Sequence, residues 1–287
     1  ANSLFRDNAL ALGYEPESEL LSEGAQYQLA KKVVLSHSNL LGSEMDDVDL
    51  TLKTAVDGVL KLSAELNDNL ASGEQVQQVV KRVAKEIERV VAAGELPATH
   101  QEFFAGLFKT GVLAELAEAY RREKLALGYV DYSDQVALAV RAVQLMPELV
   151  RDREKSLYKH VMLDEYQDTS TLQTRLLQGL FAKHSVIAVG DPNQSIYGWR
   201  GASASNLREF LTTFGTPERE VRQFQLPTSW RNPRSVLRLA NRVLDELNRE
   251  PNFIVRHMND SQLAEYAKSK VNVDALQARD DAPEGDI

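Results

Sequence analysis

The stretch VMLDEYQDTS, residues 161–170, decides the fold that we expect for this chain. Its apolar run, residues 161–163, ends abruptly in two adjacent carboxylates, Asp164 and Glu165. A buried parallel strand has this pattern where its carboxyl end opens onto a chemical site. Paired acids in that place are typical of a metal bound to a phosphate beside a base that activates water. The stretch therefore raises the question of where a phosphate would bind.

The sequence around this stretch alternates between predicted strands and predicted helices. The strands are YKHVMLDE (158–165), SVIAVGDPNQ (185–194) and EVRQFQL (220–226), and the helices are TLQTRLLQGLFA (171–182), SASNLREFLTTF (203–214) and PRSVLRLANRVLDEL (233–247). This order predicts an α/β fold whose strands form a parallel sheet with right-handed crossovers. If the first two strands are neighbours, their ends place four polar side chains along one edge: Asp164, Glu165, Asp191 and Gln194.

The first 150 residues are predicted to be almost entirely helical. Apolar residues recur at helical spacing in residues 51–71 and 74–91, and further helices are expected at roughly 102–127 and 133–150. The connecting loops are expected at LGSEMDD, ASG and AAGELPATH, which contain the glycine, proline and acidic residues typical of turns. A helical region is therefore expected to precede the sheet.

Composition limits the class of protein. The 287 residues contain 43% apolar and 26% charged residues, as in soluble globular proteins, and could form one large domain or two ordinary ones. We see no signal peptide, and no stretch approaches the roughly 18 apolar residues of a membrane helix. The absence of cysteine excludes disulfides and thiolate metal sites, so we expect a cytoplasmic protein.

The net charge of −9 is unevenly distributed. Residues 1–100 contain 9 basic and 16 acidic groups, a net charge of −7, whereas residues 151–250 contain 15 basic and 12 acidic groups, a net charge of +3. The carboxylate pair thus lies in a net-positive part of the chain. Because the local field decides where a polyanion docks, nucleic acid could bind there despite the overall negative charge.

Alternative interpretations apply to each feature taken alone. A single acid at a strand end can be a solvated or helix-capping group, and we expect Asp168 or Thr169 to cap the helix that follows. In VGDPNQSIYGWRGAS (189–203), Tyr197 and Trp199 beside Arg200 could hold an unpaired base, or the aromatic residues could anchor the loop against the core.

A third unusual stretch is LPTSWRNPRSVLRLAN, residues 226–241. It places Trp230 and Arg231 just before a predicted helix. An arginine in this position could contact a γ-phosphate, because a guanidinium neutralises the charge that develops during phosphoryl transfer. Taken alone, Arg231 could equally form a surface ion pair.

Together, the three stretches resemble motifs of the UvrD/Rep/PcrA family of superfamily-one DNA helicases. LDEYQDTS resembles motif II, the Walker B motif, VGDPNQSIYGWRGA resembles motif III, and SWRNPRSVLRLAN resembles motif IV, in the family's order and approximate spacing. YVDYSDQVAL (129–138) is similar to the segment before motif II, and LFRDNALALGY is similar to the segment after the early DNA-contact motifs. The motifs cover roughly residues 129–241.

The resemblance implies an all-helical insert domain followed by an incomplete RecA-like parallel sheet with flanking helices. Residues 1–17 would be a remnant of the RecA-like domain, and residues 18–128 the helical insert called 1B. Residues 129–250 would be the C-terminal half of the RecA-like ATPase domain, with motifs II, III and IV. Residues 251–287 would be a linker toward a second RecA-like domain.

The resemblance also implies roles at a nucleotide site that binds ATP and Mg²⁺. Asp164 would hold Mg²⁺, Glu165 would polarise the attacking water, and Gln194 would sense the γ-phosphate and couple it to DNA. Arg231 would contact the γ-phosphate, and Trp230 would lie against the adenine. The family more often has Asn-Tyr-Arg-Ser where this chain has Ser-Trp-Arg-Asn (229–232), which weakens the inference of adenine stacking.

For DNA, the resemblance implies a base-stacking contact in motif III. Trp199, with Tyr197, would stack on a base, and Arg200 would link that contact to the nucleotide site. The expected partner is single-stranded DNA or duplex DNA with a 3′ tail, and no membrane is involved.

The phosphate-binding loop is missing from the sequence. No GxxxxGKS or GxxxxGKT occurs in the 287 residues, although a Walker A loop supplies the backbone amides and the lysine that bind the β- and γ-phosphates. In the family this loop lies upstream, on a central strand of the same sheet. We therefore expect an internal part of a helicase that does not hydrolyse ATP alone and whose sheet has an unpaired edge.

The function that we expect is that of part of an ATP-dependent 3′-to-5′ DNA helicase or translocase in DNA repair or recombination. The alternative is a non-catalytic module, derived from a helicase, that binds DNA or a partner protein. A Mg²⁺-dependent nuclease that uses Asp164, Glu165 and Asp191 is a third possibility, but it needs more converging acids than the sequence offers.

Overall fold

The computed structural model of the protein describes eleven pieces of the chain: residues 1–42, 51–92, 101–148, 150, 157–198, 205–215, 221–249, 259, 261, 263 and 274–285. The chain divides into two compact units. The helical unit comprises Ala1–Lys159 and Ser170–His184. The strand unit comprises His160–Thr169 and Ser185–Ile287. Each unit is described by itself.

The helical unit contains most of the α-helices that the structure describes. They are α1 (Asn2–Asn8), α2 (Glu23–Ser36), α3 (Ser38–Gly42), α4 (Leu52–Asp68), α5 (Gly73–Ala92), α6 (Gln101–Ala126), α7 (Tyr132–Leu145) and α8 (Thr171–Phe181). The helices predicted near residues 51–71, 74–91, 102–127, 133–150 and 171–182 are confirmed as α4 to α8. Of the predicted loops, most of LGSEMDD and AAGELPATH lies outside the described residues.

The main core of the helical unit lies between α2, α4 and α6. Buried residues recur three or four positions apart on each helix, so one apolar stripe per helix faces the other two. They include Val33 and Val34 from α2, Val56 and Val59 from α4, and Leu116 and Tyr120 from α6. A short parallel pair, β1 (Glu19–Leu20) with β2 (Tyr129–Val130), joins the two ends of this region.

A buried ion-pair cluster lies beside this core. The Lys124 ammonium, 2% exposed, donates to Asp131 Oδ2 at 2.6 Å and to Asp134 Oδ2 at 2.5 Å. The two aspartates also form the capping box of α7, and Asn67 Nδ2 of α4 donates to Asp134 Oδ1 at 2.8 Å. The cluster therefore ties α4 and α6 to the start of α7.

Burial and charge oppose each other in this cluster. Burial favours the neutral form of Asp131, but the Lys124 ammonium and several hydrogen bonds outweigh burial and lower the pKa of that carboxyl. Burial raises the pKa of Asp134, and Asp131 adds to that effect. Burial would lower the pKa of Lys124, but the two carboxylates raise it. One cation thus balances two closely spaced acids, and its removal would leave both without a counter-charge.

The described residues of the strand unit include two short parallel sheets and two long helices. In the first sheet, β3 (His160–Leu163) pairs with β4 (Ser185–Ala188), with Met162 opposite Ile187. In the second, β5 (Thr228–Ser229) pairs with β6 (Gln277–Ala278). The helices are α9 (Ser205–Phe214) and α10 (Arg234–Arg249). Every sheet that the described residues form has two strands, which confirms the expectation of an α/β fold with a helical insert and an incomplete parallel sheet.

The third predicted strand, EVRQFQL at 220–226, is wrong for the residues that the structure describes there. Residues 221–227 adopt no regular structure, and Phe224 and Leu226 are each 79% exposed. A strand needs a hydrogen-bonded partner, and pairing begins only at Thr228, where β6 supplies one. Residues 221–227 therefore lack the pairing that a strand requires.

The predicted helix cap is also wrong. Ser170, rather than Asp168 or Thr169, caps α8: its hydroxyl accepts from Gln173 N at 3.1 Å, and Gln173 Oε1 accepts from Ser170 N at 2.9 Å. Tyr166–Asp168 form a short 3-10 turn, and the Thr169 hydroxyl donates back to Tyr166 O at 2.7 Å. The turn occupies the residues that would otherwise have capped the helix.

Residues 274–285, within the segment predicted to be a linker, pack on the start of α10. Arg234 N donates to Pro283 O at 3.0 Å, and Ser235 N donates to Glu284 O at 2.9 Å. The Arg234 guanidinium also donates to the Asp280 carbonyl at 2.6 Å. Backbone carbonyls from a distant segment therefore satisfy amides at the amino end of α10.

We expect Lys124→Met to destabilise the helical unit, because it leaves two buried carboxylates without their cation. The free energy of unfolding should fall by about 3–5 kcal/mol, measured by chemical denaturation near neutral pH. In the variant, burial and mutual repulsion raise both carboxyl pKa values above their unfolded values. Stability is lost as pH rises through such raised values, so the deficit should be smaller near pH 5 than near pH 7.

The matched control is Lys85→Met, which removes an exposed lysine from α5. It should change the free energy of unfolding by no more than about 0.5 kcal/mol. Equal losses in the two variants would contradict the importance of the buried cluster.

Candidate functional site

The parallel pairing of β3 and β4 brings two polar loops to one edge. Leu163 and Ala188, the last residues of the strands, are partners in the ladder. Asp164 and Glu165 directly follow β3; Asp191 follows β4 after two residues, and Gln194 after five. The two strands are therefore neighbours, as the sequence predicted. Val189 N donates to Leu163 O at 2.8 Å, and Tyr166 N donates to Val189 O at 3.0 Å, so the loops stay joined beyond the strands.

The side chain of Gln167 bridges the two loops. Its Nε2 donates to Glu165 Oε2 at 2.7 Å, and its Oε1 accepts from Asp191 N at 3.1 Å. Gln167 is 1% exposed, and a longer contact of 3.5 Å joins Nε2 to Asp168 Oδ2. Ser195 Oγ donates to the Gln167 carbonyl at 3.3 Å. Both the side chain and the backbone of Gln167 thus connect the loops.

Asp191 organises the loop after β4. Its Oδ1 accepts from Asn193 N, and its Oδ2 accepts from Gln194 Nε2, each at 2.9 Å. Asp191 thereby caps the short turn Pro192–Gln194, and Pro192 has the fixed φ suited to the first position of such a turn. The carboxylate of Asp191 therefore holds the Gln194 side chain at the strand edge.

Glu165 has an unusual backbone conformation. Its φ of 50° and ψ of 39° lie in the left-handed region, which residues other than glycine rarely adopt. Its amide donates to Asp164 Oδ1 at 3.0 Å. Conformations of this kind cost about 1–3 kcal/mol and occur preferentially at functional sites. The strained residue is the same one whose side chain Gln167 holds.

Helix α9 supports the turn from behind. Tyr166 is fully buried and packs edge-on against Phe210 of α9, with ring centroids 5.4 Å apart. Asn206, also buried, donates to Thr169 O at 2.6 Å. Sequence reasoning overlooked these supporting residues and Gln167. The available signal was the polar Gln167 next to aromatic Tyr166 within the quoted stretch, because a buried amide must have partners.

The predicted site residues differ in their exposure and in their position relative to the strand edge. Asp164, Glu165 and Gln194 are exposed at the strand edge, and Tyr197 is 39% exposed on the same loop as Gln194. Trp230, 72% exposed, and Arg231 follow β5. No hydrogen bond found among the described residues connects Trp230 or Arg231 with the strand edge. The predictions for Trp199 and Arg200 lie outside the described residues.

The oxygen donors at the strand edge fit Mg²⁺ in complex with a phosphate. Mg²⁺ is commonly bound by one or two protein carboxylates together with phosphate oxygens and waters. Asp164 offers such a carboxylate in an exposed position. Among the described residues no group of three or more His, Cys, Asp or Glu side chains could hold a metal by itself.

Comparison with known proteins identifies the family. Polar loops after the carboxyl ends of adjacent parallel strands are characteristic of α/β proteins with a ligand site at that edge. The family model of the UvrD/REP helicase N-terminal domain matches residues 1–215. The chain therefore belongs to the UvrD/REP helicase family.

Individual relatives agree with this assignment. The chain is 32% identical over 132 residues to RecBCD enzyme subunit RecB of Mycobacterium tuberculosis (strain ATCC 25618 / H37Rv), a match that covers 46% of the chain and 12% of the relative. It is 32% identical over 120 residues to DNA helicase II of Haemophilus influenzae, which covers 41% and 15%, respectively. It is 29% identical over 149 residues to ATP-dependent DNA helicase PcrA of Bacillus subtilis (strain 168), which covers 51% and 20%.

The matched segments thus span only a fifth or less of these relatives. None of the helices in the described part of the chain is long and apolar enough to cross a membrane.

We expect Gly190→Ala to disturb the connection between the two loops. A Cβ at this position would lie 2.5 Å from Gln167 Oε1 and 3.2 Å from Gln167 N, so the bridge must shift. Thermal or chemical denaturation should show a loss of about 1–3 kcal/mol, the range for overpacking and for a broken buried hydrogen bond. In the control Gly198→Ala, the added Cβ meets nothing within 4 Å, and an unchanged stability is expected. A loss in the control as large as that in Gly190→Ala would contradict the role of close packing.

Proposed function

We propose that this chain is part of an ATP-dependent DNA helicase or translocase with 3′-to-5′ polarity that acts in DNA repair or recombination. The observation that carries the proposal is the parallel pairing of β3 and β4, which brings the Asp164–Glu165 loop beside the Asp191–Gln194 loop. Membership of the UvrD/REP helicase family supports the same interpretation. The polarity and the repair setting rest on the family resemblance.

At the nucleotide, each residue would act through its chemistry and position. Asp164 would supply a carboxylate oxygen to Mg²⁺, which neutralises phosphate charge when bound. Glu165 would accept a proton from, or orient, the attacking water. Gln194 would donate an amide hydrogen to the γ-phosphate, and its exposed position at the strand edge allows this. Arg231 would add positive charge at the γ-phosphate, and exposed Trp230 would offer an apolar face to the adenine.

At the DNA, the loop after Gln194 would supply stacking contacts. Tyr197 is partly exposed, and Trp199 and Arg200 follow within three residues. Stacking on aromatic rings tolerates any base sequence, which suits a motor that moves along single-stranded DNA. Asp191 and Gln194 precede Tyr197 on the same loop. A base contact at Tyr197 would therefore lie three residues from the γ-phosphate contact at Gln194.

Because the phosphate-binding loop is missing, the activity that we propose for the whole helicase differs from the behaviour that we expect of this chain. The 287 residues contain no Walker A sequence, so the amides and the lysine that cradle the β- and γ-phosphates are absent. We propose that the chain by itself does not hydrolyse ATP. The same absence favours a second candidate, a non-catalytic module that binds DNA or a partner protein.

Turnover of MgATP by the 287-residue chain, with and without single-stranded DNA, tests the nucleotide proposal. We expect no turnover above that of the Glu165→Gln variant, because the phosphate cradle is absent. Turnover that DNA stimulates and that Glu165→Gln abolishes would contradict this expectation. It would show a phosphate site that does not need a Walker A loop.

Titration of a labelled single-stranded oligonucleotide tests the DNA proposal. We expect Tyr197→Ala to weaken binding roughly 5- to 150-fold, the loss of about 1–3 kcal/mol that one stacked base contributes. The control Tyr132→Ala removes another exposed tyrosine, at the start of α7, and should bind as the unchanged chain does. Equal affinities of the Tyr197 variant and the unchanged chain, or no binding by the unchanged chain, would overturn the proposed DNA contact.

A further inference from the structure

We infer that Gln167 is a positioning residue that holds the Glu165 carboxylate and couples it to Gln194. The inference rests on the proposed function, in which Glu165 acts on the attacking water and Gln194 senses the γ-phosphate. Its structural basis is a chain of three hydrogen bonds, which we call the relay: Glu165 to Gln167, Gln167 to Asp191, and Asp191 to Gln194. All four residues belong to the strand unit.

The orientation of the Gln167 amide is fixed by its partners. Nε2 can only donate and faces the Glu165 carboxylate, which when ionised can only accept. Oε1 can only accept and faces the Asp191 N–H, which can only donate. Rotating the amide by half a turn would put acceptor against acceptor and donor against donor. Because Gln167 is 1% exposed, water could not readily satisfy the mismatched groups.

The Glu165 side chain depends on this contact for its direction. Glu165 is exposed, and a solvated glutamate ordinarily samples several rotamers. The hydrogen bond that the described residues give to its carboxylate comes from Gln167, at 2.7 Å. The left-handed backbone of Glu165 fixes the direction in which its side chain leaves the chain, and the side-chain amide of Gln167 fixes the position of its carboxylate. A base that must face one water molecule requires both constraints.

The other end of the relay reaches the residue that would meet the phosphate. The Asp191 amide is bound to Gln167, and the Asp191 carboxylate is bound to both Asn193 N and Gln194 Nε2. The turn Pro192–Gln194 and its Asp191 cap therefore form one hydrogen-bonded piece. Close packing of Gly190 against Gln167 limits independent movement of this piece. A displacement of Gln194 on phosphate binding would reach Glu165 through Asp191 and Gln167.

A residue that is merely part of the core would behave differently from a relay. Loss of a core residue lowers stability, but it does not determine whether a substitution at Glu165 shifts the NMR signals of Gln194. A relay makes that response conditional on Gln167. The distinction can be measured on the 287-residue chain without nucleotide or DNA, by NMR of the ¹⁵N-labelled protein.

The experiment changes one end of the relay and observes the other. In the unchanged background, Glu165→Ala should shift the backbone amide of Asp191 and the side-chain amide of Gln194. In the Gln167→Met background, the Asp191 amide should lose roughly tenfold of its protection against hydrogen exchange, since one buried hydrogen bond is lost. In that background, Glu165→Ala should leave both signals where they are.

Two further variants complete the test. Gln223→Met makes the same substitution at an exposed position in residues 221–227 and should leave the response to Glu165→Ala intact. Gln167→Asn retains the amide but is one carbon shorter, so it cannot reach both partners and should break the relay as methionine does. It also serves if the methionine variant does not fold.

Equal responses to Glu165→Ala with and without Gln167, or no response in the unchanged background, would overturn the inference. Because no ATP or DNA enters the measurement, either result leaves the proposed function to its own tests. Failure of the turnover or oligonucleotide expectations would likewise leave the relay result valid.

Discussion

The four-residue parallel ladder between β3 and β4 is the constraint on which the candidate site depends. Asp164 and Asp191 are 27 residues apart in sequence, and the ladder places the loops that carry them at the same edge. A parallel ladder joins like ends of two strands, so the first residues after β3 lie beside the first residues after β4. A slip of one register position would exchange the faces of one strand and separate Tyr166 N from its acceptor, Val189 O.

Each unit of the chain contains a buried polar network with a different physical basis. In the helical unit, one ammonium balances two carboxylates around the start of α7. In the strand unit, a neutral amide joins a carboxylate to a backbone N–H. The ionic network depends strongly on charge balance, because burial penalises any unpaired member. The amide network depends on direction instead, since its donor and acceptor ends cannot be exchanged.

The sequence predicted the helices and strands that have local signals. It did not predict the features that depend on partners far away in the chain. Helical spacing identified α4 to α8, and the apolar runs that end in acids identified β3 and β4. The segment at 220–226 was predicted to be a strand, yet the pairing observed nearby, at Thr228–Ser229, needs Gln277–Ala278 as its partner. Gln167 could be read in the sequence, but its partner 24 residues away could not. The roles of the site residues remain predictions that the geometry accommodates.

The way in which α10 begins has a consequence for synthesis of the chain. An N-cap side chain lies next to its helix in sequence and is therefore made together with it. Here the amides of Arg234 and Ser235 are bound by carbonyls of Pro283 and Glu284, some fifty residues later. During synthesis, α10 is therefore made before the segment that supplies these carbonyls. Until then water must hydrate those amides, and β5 has no strand beside it.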